Sequence, residues 1–150
     1  MKTSYKIIET QAKIAVDLHG FLDTYSPALY PLLEFLRGVL KVKIYVMSGP
    51  PKEDIYKELN KLGYLPGIHY DEILSIVDLL KSDNDPDLHQ DEQEHWWTTD
   101  KKWFSCKARL CQKEGIEFVF DDKLEYKEFM EGNVVFYQIK KEKKYGSKNL

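Results

Sequence analysis

The chain of 150 residues suits one domain with one core, and its 43% hydrophobic and 13% aromatic content excludes global disorder. A formal net charge of −3 gives no general electrostatic attraction for nucleic acid. Two cysteines, Cys106 and Cys111, build no disulfide framework, the first residues lack the apolar core of a secretory signal, and no apolar run reaches the roughly 20 residues that span a bilayer. The expectation is a soluble cytoplasmic domain in a reducing compartment, with no membrane partner.

Ile14, Ala15 and Val16 form a short continuous apolar run, the pattern of a strand buried on both faces. The preceding YKIIE suggests an edge strand or hairpin arm. After a loop containing Pro27 and Pro31, Leu29, Leu32, Leu33, Leu36 and Leu40 recur at helical spacing. VKIYVM, from Val42 to Met47, reads as a second buried strand that ends at SGPP. Pro51 then stands where a first helical residue belongs, with Glu53 and Asp54 in the positive first turn. Ile55, Leu59 and Leu62 supply that helix with a buried stripe, and Gly63 closes it.

EILSIVDLL contains a third strand. The segment SDNDPDLHQDEQEH then breaks the pattern, with Pro86 and acidic residues uninterrupted by a basic one. KKWFSCKARLCQKEG restores a helix, with Phe104, Ala108 and Cys111 on one side and Gly115 as its stop. IEFVF is a fourth strand and delivers Asp121 and Asp122. A short helix from Leu124 to Glu131 and the strand VVFYQI complete the domain over residues 1–139, leaving 140–150 as a basic, solvated tail. Residues 82–103 are expected to form an irregular, acidic, tryptophan-containing insertion that resembles a lid.

Strands alternating with helices imply an α/β fold of three layers, Rossmann-like, around a mainly parallel five-stranded sheet. Ligands of such sheets collect outside the carboxyl ends of the strands. Asp17, Ser48, Asp121 and Asp122 all fall at those ends. Each has an ordinary structural role when taken singly: Ser48 as a turn residue, Asp121 and Asp122 as turn or cap residues. Four polar residues from three strands meeting at one edge are harder to explain by packing.

In this order the residues resemble the haloacid-dehalogenase-like (HAD) hydrolases, most of which are magnesium-dependent phosphatases. VDLHGFLD resembles the family's first motif, with Asp17 as the nucleophile at a strand end. VMSG resembles the second, with Ser48 as the hydroxyl that grips phosphate. Lys107, on the helix before the fourth strand, matches the third motif's lysine, and FVFDDKLEY resembles the acidic fourth motif. The resemblance runs from Lys13 to about Ile139.

It implies a fold of the HAD type and a phosphomonoesterase that works through an aspartyl-phosphate on Asp17. A Mg2+ cofactor would be held by Asp17, the backbone carbonyl of His19, and Asp121 or Asp122; pairing in the family favours Asp122, leaving Asp121 to hold Lys107. Ser48, Gly49 and the amides of the following helix start would receive phosphate oxygens, with Lys107 neutralising charge.

One position departs from the family. Two residues after the nucleophile its phosphatases usually carry an aspartate that serves as general acid and base; here the residue is His19. Imidazole performs the same proton transfers near neutral pH. Asp23, further along the loop, is either a substitute or a loop residue. Two other functions follow from the same residues: a catalytically silent phosphate- or metal-binding module, and a metal-dependent nuclease built on the clustered aspartates.

The spacings of His89 and His95, and of Cys106 and Cys111, match no ordinary structural zinc site, so no zinc is expected and the cysteines read as core residues. No large cap fits between Asp17 and Ser48, which predicts an open site for a small phosphorylated substrate, either a nucleotide or a phosphate-bearing nucleic-acid end. Acidic residues of the insertion would repel polyanions. Trp96, Trp97 and Trp103 either stack on a base or ring or anchor the insertion to the core. Nothing in the pattern assigns an oligomeric state.

Overall fold

Strand β1 (Lys13–Val16) leads into a tight loop and a one-turn helix, α1 (Asp23–Tyr25), in a computed structural model that describes residues 11–140. YKIIE and all but the first residue of the basic tail lie outside the described residues. Helix α2 (Tyr30–Gly38), β2 (Lys43–Ser48), α3 (Lys52–Leu62), β3 (Glu72–Ser75) and α4 (Ile76–Ser82) follow. Two short strands, β4 (His89–Gln90) and β5 (Trp96–Trp97), precede the long helix α5 (Asp100–Glu114). Strand β6 (Phe118–Asp121), a 3-10 helix (Leu124–Phe129) and β7 (Val135–Gln138) close the fold.

The main sheet has five strands, ordered β3-β2-β1-β6-β7, and every neighbouring pair is parallel. Alternation along the strands divides the core between two faces. Val16, Ile44 and Val46 pack with Leu33 of α2 and with Ile55 and Leu59 of α3. Ala15, Tyr45, Met47 and Val119 pack on the opposite side with Leu110 and Cys111 of α5. The fold is therefore a three-layer, Rossmann-like α/β arrangement. Because the strands are parallel, their carboxyl ends share one edge, and β1 lies where the chain turns from one half of the sheet to the other. Among the described residues, no helix is long and apolar enough to cross a membrane.

One expectation is refined and two change. The leucines at helical spacing fall on a helix but are unequally buried: Leu33 is 3% exposed, whereas Leu32 is 48% and Leu40 55% exposed. Leu29, Leu33 and Leu36 follow the i, i+4, i+7 line toward the sheet; Leu32 is rotated off it and Leu40 lies past the helix end. The segment 82–103 is not wholly irregular, because β4 and β5 pair as an antiparallel hairpin. The helix expected from Leu124 to Glu131 is a tighter 3-10 turn that ends at Phe129.

The α2 geometry generates a paired test. Leu33→Ala is expected to lower the unfolding free energy by about 2–5 kcal/mol, and Leu32→Ala by about 0.5 kcal/mol or less. Urea denaturation measures both, and equal losses would contradict the assigned helix face.

Candidate functional site

Asp17 continues from β1, its backbone N–H still donating to Phe120 of β6 (2.9 Å), so its carboxylate emerges at the edge between two neighbouring strands. The chain then turns sharply through Gly20, whose φ of +99° lies in the left-handed region. A Cβ at Gly20 would also overlap the Asp122 carboxylate, so the bare backbone lets the two loops meet. Asp23 accepts hydrogen bonds from the Gly20 N–H (2.8 Å) and the Thr24 hydroxyl (3.0 Å). Asp23 therefore shapes the loop.

Lys107 reaches this edge from α5 and is completely buried. Its Nζ donates to Asp17 Oδ1 (3.0 Å) and Asp121 Oδ2 (2.5 Å), and lies 4.2 Å from the centre of the Tyr126 ring. Burial disfavours the ammonium, but the two carboxylates outweigh it and hold the Lys107 pKa above the usual lysine value. Asp121 Oδ1 accepts the Lys123 N–H (3.0 Å), so both oxygens of Asp121 are engaged. Asp17, Asp121 and Asp122 nevertheless bring one carboxylate oxygen each within 4.8 Å of the others. Burial pushes the Asp17 carboxyl up to about 7; the carboxylates of Asp121 and Asp122 add to the rise and Lys107 opposes it.

Ser48 sits buried at the end of β2. Its Oγ is 3.4 Å from Nδ1 of His19, and the other ring nitrogen, Nε2, lies 2.8 Å from a Glu58 carboxylate oxygen on α3. The imidazole is thus suspended between the Ser48 hydroxyl and a helix carboxylate. Glu58 was not foreseen, since no local pattern ties a mid-helix glutamate to a loop 39 residues earlier.

The loop after Ser48 differs from the expected run of anion-binding amides. Pro50 and Pro51 have no N–H, and the Lys52 N–H donates to Asp78 Oδ2 (3.2 Å). Within residues 49–52, Gly49 alone is left to offer an amide. The loop is pinned from β3 and α4, where the Ser75 hydroxyl donates to the Pro50 carbonyl (2.5 Å) and accepts from the Asp78 N–H (3.0 Å). A Cβ on Gly49 would stand 2.7 Å from the Trp103 indole, so glycine allows the tryptophan to close over the loop. Trp103 in turn donates from Nε1 to the Tyr126 hydroxyl (3.1 Å).

Together Asp17, His19, Ser48, Gly49 and Lys107 line one cavity of about 140 Å³. Trp103, Lys123 and Tyr126 line it as well. Lys123 and Tyr126 went unrecognised in the sequence although both follow the Asp121–Asp122 pair closely. The cysteines lie away from this cavity as core residues, with burial pushing Cys106 up to about 11 and Cys111 up to about 12. Matched against protein-family models and against curated proteins, the chain finds no relative.

Three hard oxygen donors, two of them buried, and a fixed ammonium make a centre suited to a divalent cation beside an oxyanion. With its carboxyl raised to about 7, Asp17 keeps a proton on folding that the unfolded chain gives up between about pH 4 and 7. That contribution is complete below the unfolded carboxyl pKa, near 4, and is lost as pH rises through about 7. The stability of the metal-free protein relative to Asp17→Asn is therefore expected to fall between about pH 4 and 7. Denaturant titrations across that range measure it; a difference that is flat or rises with pH would contradict the raised carboxyl.

Proposed function

We propose that this chain is a magnesium-dependent phosphomonoesterase of the HAD-like type, with Asp17 as its nucleophile. The observation that carries the reading is the Asp17–Lys107–Asp121 arrangement. Residues 90 and 14 positions apart meet around one buried ammonium, at the sheet edge where ligands of parallel α/β folds bind. Ser48 and Asp122 border the same place, as the resemblance implies they should.

The residues fit magnesium. Asp17, Asp122 and the His19 backbone carbonyl would hold it, with Asp122 preferred to Asp121 because both Asp121 oxygens already accept N–H groups. Bound there, the ion supplies positive charge that lets one anion approach another. The protein's own groups do the rest. The Ser48 hydroxyl and the Gly49 amide take phosphoryl oxygens, and Lys107 steadies Asp17 while offsetting charge.

The Asp17 carboxylate attacks phosphorus, forming the acyl-phosphate bond as the ester P–O bond breaks. The departing alkoxide takes a proton from the His19 imidazolium. Water then attacks the aspartyl-phosphate and gives its proton to the neutral imidazole, which returns Asp17, releases phosphate and restores the acid. Glu58 positions the ring by engaging Nε2, leaving Nδ1 toward Ser48 and the cavity.

Binding without turnover is a second reading, favoured by the loop after Ser48, where two prolines and the engaged Lys52 amide leave few donors for a transition state. Activity with and without magnesium separates the two. Turnover of an aryl phosphomonoester is expected for the wild type, while Asp17→Asn should lose at least about a thousandfold in kcat and keep its fold. His19→Ala should slow release of phosphate from the aspartyl-phosphate more than formation of that intermediate from an activated ester. Full activity in Asp17→Asn would remove the covalent mechanism, and phosphate binding without turnover would establish the second reading.

The metal assignment has its own test. Asp122→Ala is expected to weaken magnesium binding more than Asp121→Ala, and wild-type affinity should rise with pH up to about 7, because the ion must displace the Asp17 proton. Calorimetric titration at several pH values measures both; the reverse order of the variants would move the metal to Asp121.

A further inference from the structure

A second cavity, of about 280 Å³, adjoins the first and shares Pro50 and Trp103 with it. One wall is the start of α3, with Pro51 and Asp54; the other is the hairpin, with Gln90, Glu94, His95 and Trp96. The hairpin is held in place by its own acidic residues. Asp91 accepts from the N–H groups of Gln93 and His95 (both 2.9 Å) and from Trp97 Nε1 (2.8 Å). At its base, Lys102 joins Asp85 (2.6 Å) and Asp87 (2.5 Å), and Thr98 donates to Asp85 (2.5 Å). On α4, the ammonium of Lys81 lies 4.5 Å from the centre of the Trp96 ring and braces the indole.

The two cavities differ in charge. The inner one is lined by two cations, Lys107 and Lys123, against one carboxylate, Asp17. The outer one is lined by Asp54 and Glu94, by His95 and by apolar rings, with no lysine or arginine among its lining residues. A phosphoryl group in the inner cavity would direct its alcohol portion past Trp103 into the outer one. An anionic alcohol would meet two carboxylates there; a cationic one would meet complementary charge and the Trp103 indole, Trp96 being already engaged by Lys81.

We infer that the groove between the hairpin and the start of α3 binds the alcohol portion of the substrate, and that this portion carries a positive charge on an apolar or aromatic body. The inference rests on the phosphomonoesterase reading and narrows its substrate class. It disfavours phosphate-bearing nucleic-acid ends, whose next phosphates would fall in the acidic groove.

Binding of the alcohol portion is measured apart from turnover, on the metal-free protein. Tryptophan fluorescence is titrated with benzyltrimethylammonium and with benzenesulfonate, which pair similar rings with opposite charges. The cation is expected to bind about tenfold more tightly, and the double variant Asp54→Asn, Glu94→Gln should lose that preference while retaining its circular dichroism. Cation preference in a protein that turns over no monoester would uphold the groove and remove the enzyme reading. Equal binding of the two ions, preference for the sulfonate, or an undiminished preference in the double variant would overturn the groove whatever the activity.

Discussion

The Lys107 ammonium is removed from water in the middle of the protein, and an isolated charge in such a place costs several kcal/mol after relaxation. It is retained because two carboxylates and an aromatic face surround it. That requirement reaches far into the fold. Asp17 and Asp121 can share one ammonium only if β1 and β6 are neighbours and parallel, and if α5 packs across their face. Tyr126 can cover the ammonium only if the chain turns back after Asp122, which the 3-10 helix accomplishes. A fold that satisfies this one charge also produces a polar cavity at the carboxyl edge of the sheet.

The same centre divides its carboxylates by environment. Asp121 is committed through both oxygens, so it acts as part of the framework that holds Lys107. Asp17 contacts Lys107 through one oxygen and is driven toward its protonated form by burial and by its acidic neighbours. Gly20 allows Asp122 to approach the loop that follows Asp17. A buried carboxyl that is reluctant to ionise beside other carboxylates has a strong electrostatic reason to take a cation. On the proposed reading, that frustration is the basis of metal binding.

Much of this arrangement was legible because it is written in local patterns. Apolar runs mark the strands, and each strand of interest ends in a polar residue, which places Asp17, Ser48 and Asp121 on one edge. The contributions of Glu58, Lys123 and Tyr126 were not legible, since they depend on which helix face or turn approaches the cavity. That Pro50 and Pro51 offer no N–H between Gly49 and the helix start was available in the sequence, whereas the engagement of the Lys52 amide by Asp78 was not. Within residues 82–103 the short hairpin was not legible. Their acidic run suggested an irregular segment that repels polyanions, and Asp83, Asp85, Asp87 and Asp91 are hydrogen-bonded or paired with Arg109, Lys102, Thr98 and the hairpin backbone. The partners of Asp83, Asp85 and Asp87 are tertiary, and those of Asp91 form only once the hairpin closes, so composition alone could not reveal it.

The proposed chemistry is a phosphoryl group carried on one particular carboxylate. The direct measurement is rapid acid quenching of the protein during turnover of an activated phosphomonoester with magnesium, followed by peptide mass spectrometry. An acid-stable, base-labile phosphoryl adduct on the peptide that contains Asp17 is the expected result, and it should accumulate further in His19→Ala. An adduct on Ser48 in place of Asp17, or turnover with no adduct in either protein, would contradict a mechanism centred on Asp17.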